Sequence, residues 1–269
     1  STYPYNPYTI PWANSLFENG ATFAMGIRSR WNQMGWDNKK LWVVGGDGAF
    51  LDIGFQSLSR MLMSGMDIKV LVLDTQGYSN TGGQASMASY MGQNADFASI
   101  GKELKGKSEG RKELANIALM HPNTYVAQTT CAHFNHFYRS IMEANEHDGP
   151  AVIVAYSTCQ PEHGVADNAA MHQAKLAVDS RAFPMMVYNP NKGSSIKERL
   201  DLKGNPSVKD DWYTIRKTKE TIDFVTFASS EGRFSKHFDE DGNPSNELLL
   251  AQQERLDNWH VLQELAGII

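Results

Sequence analysis

Four short runs of strand-forming residues, separated by stretches with helical periodicity, constrain this chain more than any other feature of it. They are Leu41-Trp42-Val43-Val44, Ile68 to Leu73, Thr124 to Gln128 and Ala151 to Tyr156. Short, near-continuous apolar runs fit strands buried on both faces, and such strands belong to parallel sheets whose crossovers are helices. Between them, Phe50, Ile53, Leu58, Met61 and Leu62 recur at three- and four-residue steps, with Gly65 placed as a C-terminal cap. Lys112 to Met120 and Phe134 to Asn145 read as further helices. The expected fold is α/β, a three-layer sandwich around a mainly parallel sheet. Three regions follow: an N-terminal connecting segment and helix (1–38), the α/β core (39–165), and an irregular C-terminal extension (166–269) packing on the core or on a partner.

Within that extension, Ala169 to Val178 looks helical and Met185 to Tyr188 fits an edge strand, whereas Asn189 to Lys219 is polar and irregular. Glu247 to Leu265, bearing Leu248, Leu249, Leu256, Trp259, Leu262 and Leu265, predicts an amphipathic terminal helix. A chain of 269 residues, 41% hydrophobic, is long enough to bury one large core or two modest ones. The net charge of -5 is spread along it, and the basic stretch Lys102 to Lys112 is broken by Glu and Gly rather than interleaved with aromatics. That argues against nucleic-acid binding. No apolar run approaches a membrane span and no signal-peptide pattern opens the chain, so a cytoplasmic location without membrane contact is expected. Ser1, with no Met before the turn-rich run Tyr3 to Tyr8, reads as the start of a cut or processed chain. Cys131 and Cys159 are too few for a disulfide framework.

The chemistry concentrates after the first two strands. Gly46-Asp47-Gly48 lies between a buried strand and a helix's first turn, where free backbone N–H groups attract an anion such as phosphate. Taken alone, the same residues read equally well as an N-cap and a glycine turn. A carboxylate facing a diphosphate makes chemical sense only with a divalent cation between them, and magnesium takes one or two protein carboxylate oxygens alongside phosphate oxygens. The second strand is followed by Thr75-Gln76-Gly77-Tyr78-Ser79-Asn80-Thr81-Gly82-Gly83, a long polar loop at a carboxyl end, where open parallel sheets bind ligands. Thr75 offers a hydroxyl and Gly77 a carbonyl.

Gly45 to Gly54 followed by Leu73 to Gln84 resembles, in motif and spacing, the thiamine diphosphate domain of pyruvate:ferredoxin (flavodoxin) oxidoreductases. The resemblance extends to Pro11 to Glu18 and Gly149 to Cys159, and so covers most of residues 11 to 190. It implies that Asp47, Thr75 and the Gly77 carbonyl hold magnesium. It implies further that Gly46, Gly48 and Ala49 line the diphosphate, and that Gln76, Tyr78, Ser79 and Asn80 complete the cofactor-binding set. Asn80 would stand beside the thiazolium and the substrate carbonyl as the catalytic group; a loop-capping role suits it too. Two positions depart from the family's pattern: Ala49, commonly aromatic, and Gly77, usually aliphatic. Cys159 corresponds to the last of four ligands of a 4Fe-4S cluster, and the other three thiolates are absent here; as a residue it reads equally well as a buried structural cysteine. Cys131-Ala132-His133-Phe134-Asn135-His136 has the elements of a metal site, yet a strand-to-helix turn is the better reading, because no second ligand group has matching spacing.

The resemblance implies oxidative decarboxylation of a 2-oxoacid, pyruvate first, with coenzyme A taking the acyl group and electrons passing through iron–sulfur clusters to ferredoxin or flavodoxin. The glutamate that activates the aminopyrimidine, and three cluster cysteines, are expected from other domains or subunits. The chain alone is therefore expected to be inactive, and a dimer is expected. Two alternatives stay open on the sequence: half of a non-redox thiamine-dependent decarboxylase or carboligase, and a non-catalytic phosphate-binding module.

Overall fold

A computed structural model describes residues 10–100 and 105–269; the Tyr3 to Tyr8 run and Lys102 lie outside them. Four strands run parallel: β1 (Trp42–Gly46), β2 (Lys69–Asp74), β3 (Tyr125–Thr130) and β4 (Ala151–Tyr156). Two more, β5 (Met186–Tyr188) and β6 (Leu200–Asp201), join antiparallel, so the six-stranded order is β1-β2-β4-β3-β5-β6. The sheet is mainly parallel, as its near-continuous apolar strands require: every residue of β3 and β4 is buried. Met186 to Tyr188 does pair, but β6 lies outside it, so it is an inner strand rather than an edge. The two-residue β6 follows a short helical turn inside a polar stretch, where hydrophobic alternation has no room to show.

Strand alternation divides the sheet's side chains between two layers. Val70, Val72, Val126, Val152, Val154 and Tyr156 face a large core. It is closed by α1 (Gly20–Gln33), α2 (Phe55–Met63), α3 (Leu114–Ala118) and, from the C-terminal extension, the helices Ala170–Asp179, Phe224–Ser229 and Asn246–Leu265. On the other face Tyr125, Ala127, Ala151 and Ile153 pack on α4 (Phe134–Glu146) through Ala144 and Ile141. Trp42 Nε1 donates to Asn145 Oδ1 at 3.0 Å, fastening α4 across the sheet to β1. The result is the expected three-layer α/β sandwich, with one face much more deeply covered than the other: Val44 is 59% exposed and Leu73 41%.

The terminal helix Asn246–Leu265 buries Leu248, Trp259 and Leu262, while Leu249 is exposed. Its buried stripe also contains Arg255, which is 2% exposed and ion-paired with Glu113 and Glu254. A paired guanidinium packs where the apolar pattern alone has no place for it.

Candidate cofactor and metal site

Parallel strands bring all four carboxyl ends to one edge of the sheet, and the candidate residues leave from there. β1 and β2 are neighbours, with Gly46 in register with Leu73, so the segments starting at Asp47 and Thr75 emerge side by side. The chain turns helical at once after β1, through a π-helical turn at Ala49–Ile53 before α2. Such turns are frequent at functional sites. Gly54 is required to pass this turn, since a Cβ there would lie 2.3 Å from the Ala49 carbonyl oxygen.

Asp47 is 1% exposed and surrounded by oxygen-bearing groups. The backbone N–H and the hydroxyl of Thr75 lie 3.1 and 3.2 Å from Asp47 Oδ1, and the Ser86 hydroxyl donates to Oδ2 at 2.5 Å. The Thr75 hydroxyl is also 3.0 Å from the Gly77 carbonyl oxygen and accepts from the Ser79 hydroxyl at 2.9 Å. One hydroxyl carries one hydrogen, so it cannot donate to Asp47 and to Gly77 together. Asp47 Oδ1, Thr75 Oγ1 and Gly77 O thus form a knot of oxygens holding fewer protons than close contacts. Adjacent ligands of an octahedral magnesium ion, at about 2.1 Å from the metal, lie ~3 Å from one another. The separations of 3.0 and 3.2 Å match that spacing. Burial, with the Asp74 charge nearby, pushes the Asp47 carboxyl up to about 7, against the lowering effects of Ser86 and the Thr75 N–H. A divalent cation among these oxygens would favour the ionised form. The donor set fits a hard cation: one carboxylate, one hydroxyl and one carbonyl.

The Thr75–Gly77 turn is held rigidly from behind. Gln76 is fully buried and left-handed, with φ of 55°, a conformation that costs a non-glycine residue ~1 kcal/mol. Its carbonyl accepts from Ser89 Oγ at 2.7 Å and Gln93 Nε2 at 2.8 Å, and its N–H donates to Asp74 Oδ1 at 3.1 Å. Asp74 is itself paired with the buried guanidinium of Arg111. Further on, the loop folds into a tight hairpin, with Tyr78 N–H donating to Gln84 O at 2.9 Å and Gly82 and Gly83 at φ of 114° and 85°. Deeper still it is anchored by Tyr90, whose ring centroid lies 5.5 Å from Phe224 and 6.0 Å from Phe227.

The other expected site residues are distributed as follows. Gly46 is exposed at the strand end, and Gly48 and Ala49 are buried in the first helical turns. Tyr78 lies directly over Gly48: a Cβ at Gly48 would stand 2.2 Å from the tyrosine ring, and the phenol donates to Asp52 Oδ2 at 2.9 Å. At Gly77 a Cβ would stand 3.3 Å from the Gln84 carbonyl oxygen, a tight contact that a small shift of the hairpin relieves. Asn80 is exposed at the hairpin tip. Cys159, partly buried, follows β4 on the same edge, in the turn before the short helix Gln160–His163. Glu162 of that helix packs against Gly83 of the hairpin. Cys131 is exposed, and among the described residues no three His, Cys, Asp or Glu side chains gather into a metal site. A four-thiolate cluster therefore does not fit within the described residues of this chain.

Several residues that matter here carry little sequence signal. Ser86 lies outside the glycine-rich stretch yet makes the shortest contact to Asp47. His163, Glu231 and Arg233 reach the back of the Thr75 loop from distant positions; the one available hint was charge standing inside the aromatic run Phe224 to Phe234.

Residues 2–155 match the family described as thiamine pyrophosphate enzyme, C-terminal TPP binding domain. The chain belongs to that family. Among curated relatives it is 34% identical to a pyruvate-flavodoxin oxidoreductase of Rhodospirillum rubrum, over 86% of this chain and 18% of that protein. It is 40% identical to a pyruvate:ferredoxin oxidoreductase of Moorella thermoacetica, over 56% of this chain and 13% of that protein. With the pyruvate synthase subunit PorB of Thermotoga maritima the identity is 29%, over 88% of this chain and 69% of the subunit. The chain thus spans under a fifth of the two longer relatives. The matched TPP-binding domain contains the strand edge, the oxygen knot and the hairpin; no helix among the described residues is long and apolar enough to cross a membrane.

Proposed function

We propose that this chain is the thiamine diphosphate- and magnesium-binding portion of a 2-oxoacid:ferredoxin oxidoreductase, with pyruvate as the substrate. The observation that carries this reading is the Thr75 hydroxyl lying 3.2 Å from Asp47 Oδ1 and 3.0 Å from the Gly77 carbonyl oxygen, on the carboxyl edge of the sheet and inside the TPP-binding domain. The names of the relatives support the choice of pyruvate and of ferredoxin or flavodoxin as acceptor. When bound, thiamine diphosphate supplies the nucleophilic carbon that makes decarboxylation of a 2-oxoacid feasible.

This chain's own residues do the positioning. Asp47, Thr75 and the Gly77 carbonyl hold the cation, and the free N–H groups of the first helical turns, at Gly48 and Ala49, face the diphosphate. The buried Gln76 fixes the turn between two of those ligands, Tyr78 closes over Gly48 to exclude water, and Ser79 orients the Thr75 hydroxyl. Asn80, at the tip of the hairpin, has an amide free to hydrogen-bond the substrate oxygen that gains charge. Cys159 supplies one thiolate to a 4Fe-4S cluster whose other ligands come from elsewhere in the enzyme, as does the glutamate facing the aminopyrimidine. Coenzyme A, a dimeric assembly and a cytoplasmic location complete the proposal.

Two measurements test it. Calorimetry on the full enzyme should show thiamine diphosphate binding that depends on magnesium, and pyruvate should drive coenzyme A-dependent reduction of ferredoxin. Cofactor binding without ferredoxin reduction, in an enzyme free of iron, would replace the oxidoreductase with a thiamine-dependent decarboxylase or carboligase. Absence of magnesium-dependent binding would sink both.

A further inference from the structure

A buried polar wedge from the chain after β4 presses on the back of the Thr75–Gly77 turn. His163 is fully buried, and its Nε2 donates to the Thr75 carbonyl oxygen at 2.9 Å. That bond fixes the tautomer: Nε2 carries the proton and Nδ1 does not. Nδ1 has no hydrogen-bond partner and faces Glu231 Oε1 at 3.7 Å. Burial, with the Arg233 charge adding to it, pushes the imidazole down to about 2, so it stays neutral. Glu231 is in turn tied to Arg233, whose Nε donates to Glu231 Oε2 at 2.6 Å. The same guanidinium reaches Gln76 Oε1 at 3.3 Å and Gln93 Oε1 at 3.2 Å. Tyr156 and Gln173 donate to the remaining Glu231 oxygen at 3.3 and 3.2 Å.

The wedge therefore holds two consecutive residues of the turn: Thr75 by its carbonyl and Gln76 by its side chain. These sit between and beside the oxygens that form the knot. Gln76 stays left-handed without being glycine, which requires surroundings that over-determine it. Without His163 the Thr75–Gln76 peptide plane keeps only the bond from Gln76 N–H to Asp74 Oδ1, and the turn that sets the Gly77 carbonyl against the Thr75 hydroxyl is held less firmly.

We propose that His163 and Arg233 are positioning residues for the cation, acting through Thr75 and Gln76 to preset the spacing of the Thr75 hydroxyl and the Gly77 carbonyl. This rests on the reading of Asp47, Thr75 and Gly77 as the magnesium ligands. Groups that orient metal ligands from behind change metal affinity by about 10- to 100-fold when removed. The chain beyond the matched residues 2–155 thereby acts on the diphosphate site.

The test is calorimetric titration of magnesium into the full enzyme saturated with thiamine diphosphate, repeated with manganese followed by electron paramagnetic resonance. His163→Leu removes the donor to Thr75, and magnesium affinity is expected to fall about 10-fold or more. His163→Gln restores an N–H donor and should recover most of that loss, a rescue that a merely space-filling histidine would not produce. Arg233→Lys keeps a positive charge beside Glu231 but cannot span Gln76 and Gln93 together, and it is expected to weaken magnesium by about 3- to 10-fold with a broadened manganese spectrum. It also serves if His163→Leu does not fold. Wild-type magnesium affinity in folded His163→Leu, or in Arg233→Lys should the leucine variant not fold, overturns the positioning role. Asp47→Ala separates the two levels: if that variant also binds magnesium normally, the ligand assignment itself is wrong.

Discussion

Two adjoining stretches of the same sheet edge have opposite characters. Behind β1 and β2 the exits are oxygen-rich and interlocked: Asp47 is buried, the Thr75 turn is held by Gln93, Ser89 and His163, and the hairpin beyond it closes on itself. Behind β3 and β4 the exits carry the sulfurs and imidazoles, Cys131-Ala132-His133 and Cys159, and these do not converge. Cys131 is exposed with its sulfur 3.7 Å from Met171, His136 is occupied by the Thr129 hydroxyl at 2.8 Å, and burial lowers both His133 and His136 below the usual histidine range. A site is complete within a chain when its donors already restrain one another. Where they stand apart, the chain offers at most one ligand to something assembled with other parts of the enzyme.

The largest effect should come from Asp47. Asp47→Ala in the full enzyme removes the only carboxylate of the oxygen knot, and magnesium-dependent thiamine diphosphate binding should weaken by at least ~100-fold, about 2.7 kcal/mol. Calorimetry checks it, and an unchanged affinity would erase the contrast between the two halves of the edge. The same residue makes a signed prediction for the metal-free protein. Its folded-state value of about 7 lies above its ordinary 3.8, so the group contributes stability below about pH 4 that is lost as the pH rises through 7. Asp47→Asn, which cannot ionise, should therefore raise the melting temperature of the metal-free protein at pH 8 and change it little at pH 4.

Next in size is Cys159→Ser. If this thiolate completes a cluster with cysteines from elsewhere in the enzyme, the variant loses that cluster's iron and its spectroscopic signal while magnesium and thiamine diphosphate affinities stay within ~2-fold. Full iron content in the variant would leave Cys159 a structural residue and this part of the edge without redox chemistry.

How much of this was legible in the sequence follows from what each feature depends on. The four parallel strands and their helices are visible because burial on both faces writes continuous apolar runs, and Ala151 to Tyr156 coincides with β4 to the residue. Asp47 and Thr75 were legible because a strand–glycine–acid–glycine turn and an oxygen-rich loop are local patterns. Ser86, His163 and Arg233 were not, since each acts across a fold-dependent contact: 39 residues separate Ser86 from Asp47, and 157 separate Arg233 from Gln76. Leu249 shows the converse error. It continues an apolar stripe in sequence, yet the stripe turns away from the core at that point and the buried face takes Arg255.

Gly48→Ala probes how tightly the oxygen-rich half is closed. The added methyl would overlap the Tyr78 ring, which must swing away and give up its bond to Asp52. Overpacking of this kind costs about 1–3 kcal/mol. Because the ring can move in part, thiamine diphosphate affinity should drop by roughly 10-fold, a loss well short of that for Asp47→Ala. Binding equal to wild type would mean that Tyr78 is a loose cover, with no part in shaping the site.

The smallest effect should be at the sulfur-rich half's other cysteine. Cys131 is exposed, and His133 near it has an Nε2 without a hydrogen-bond partner. Among the described residues no three ligating side chains gather around either group. Cys131→Ser should therefore leave magnesium, iron and thiamine diphosphate contents unchanged and shift stability by no more than ~0.5 kcal/mol, as exposed positions usually do. Chemical unfolding with metal analysis of the same samples reads both quantities. A loss of iron in Cys131→Ser equal to that in Cys159→Ser would show that the two thiols serve one cluster. The sulfur-rich half would then be a second assembled site rather than a contributor of one ligand.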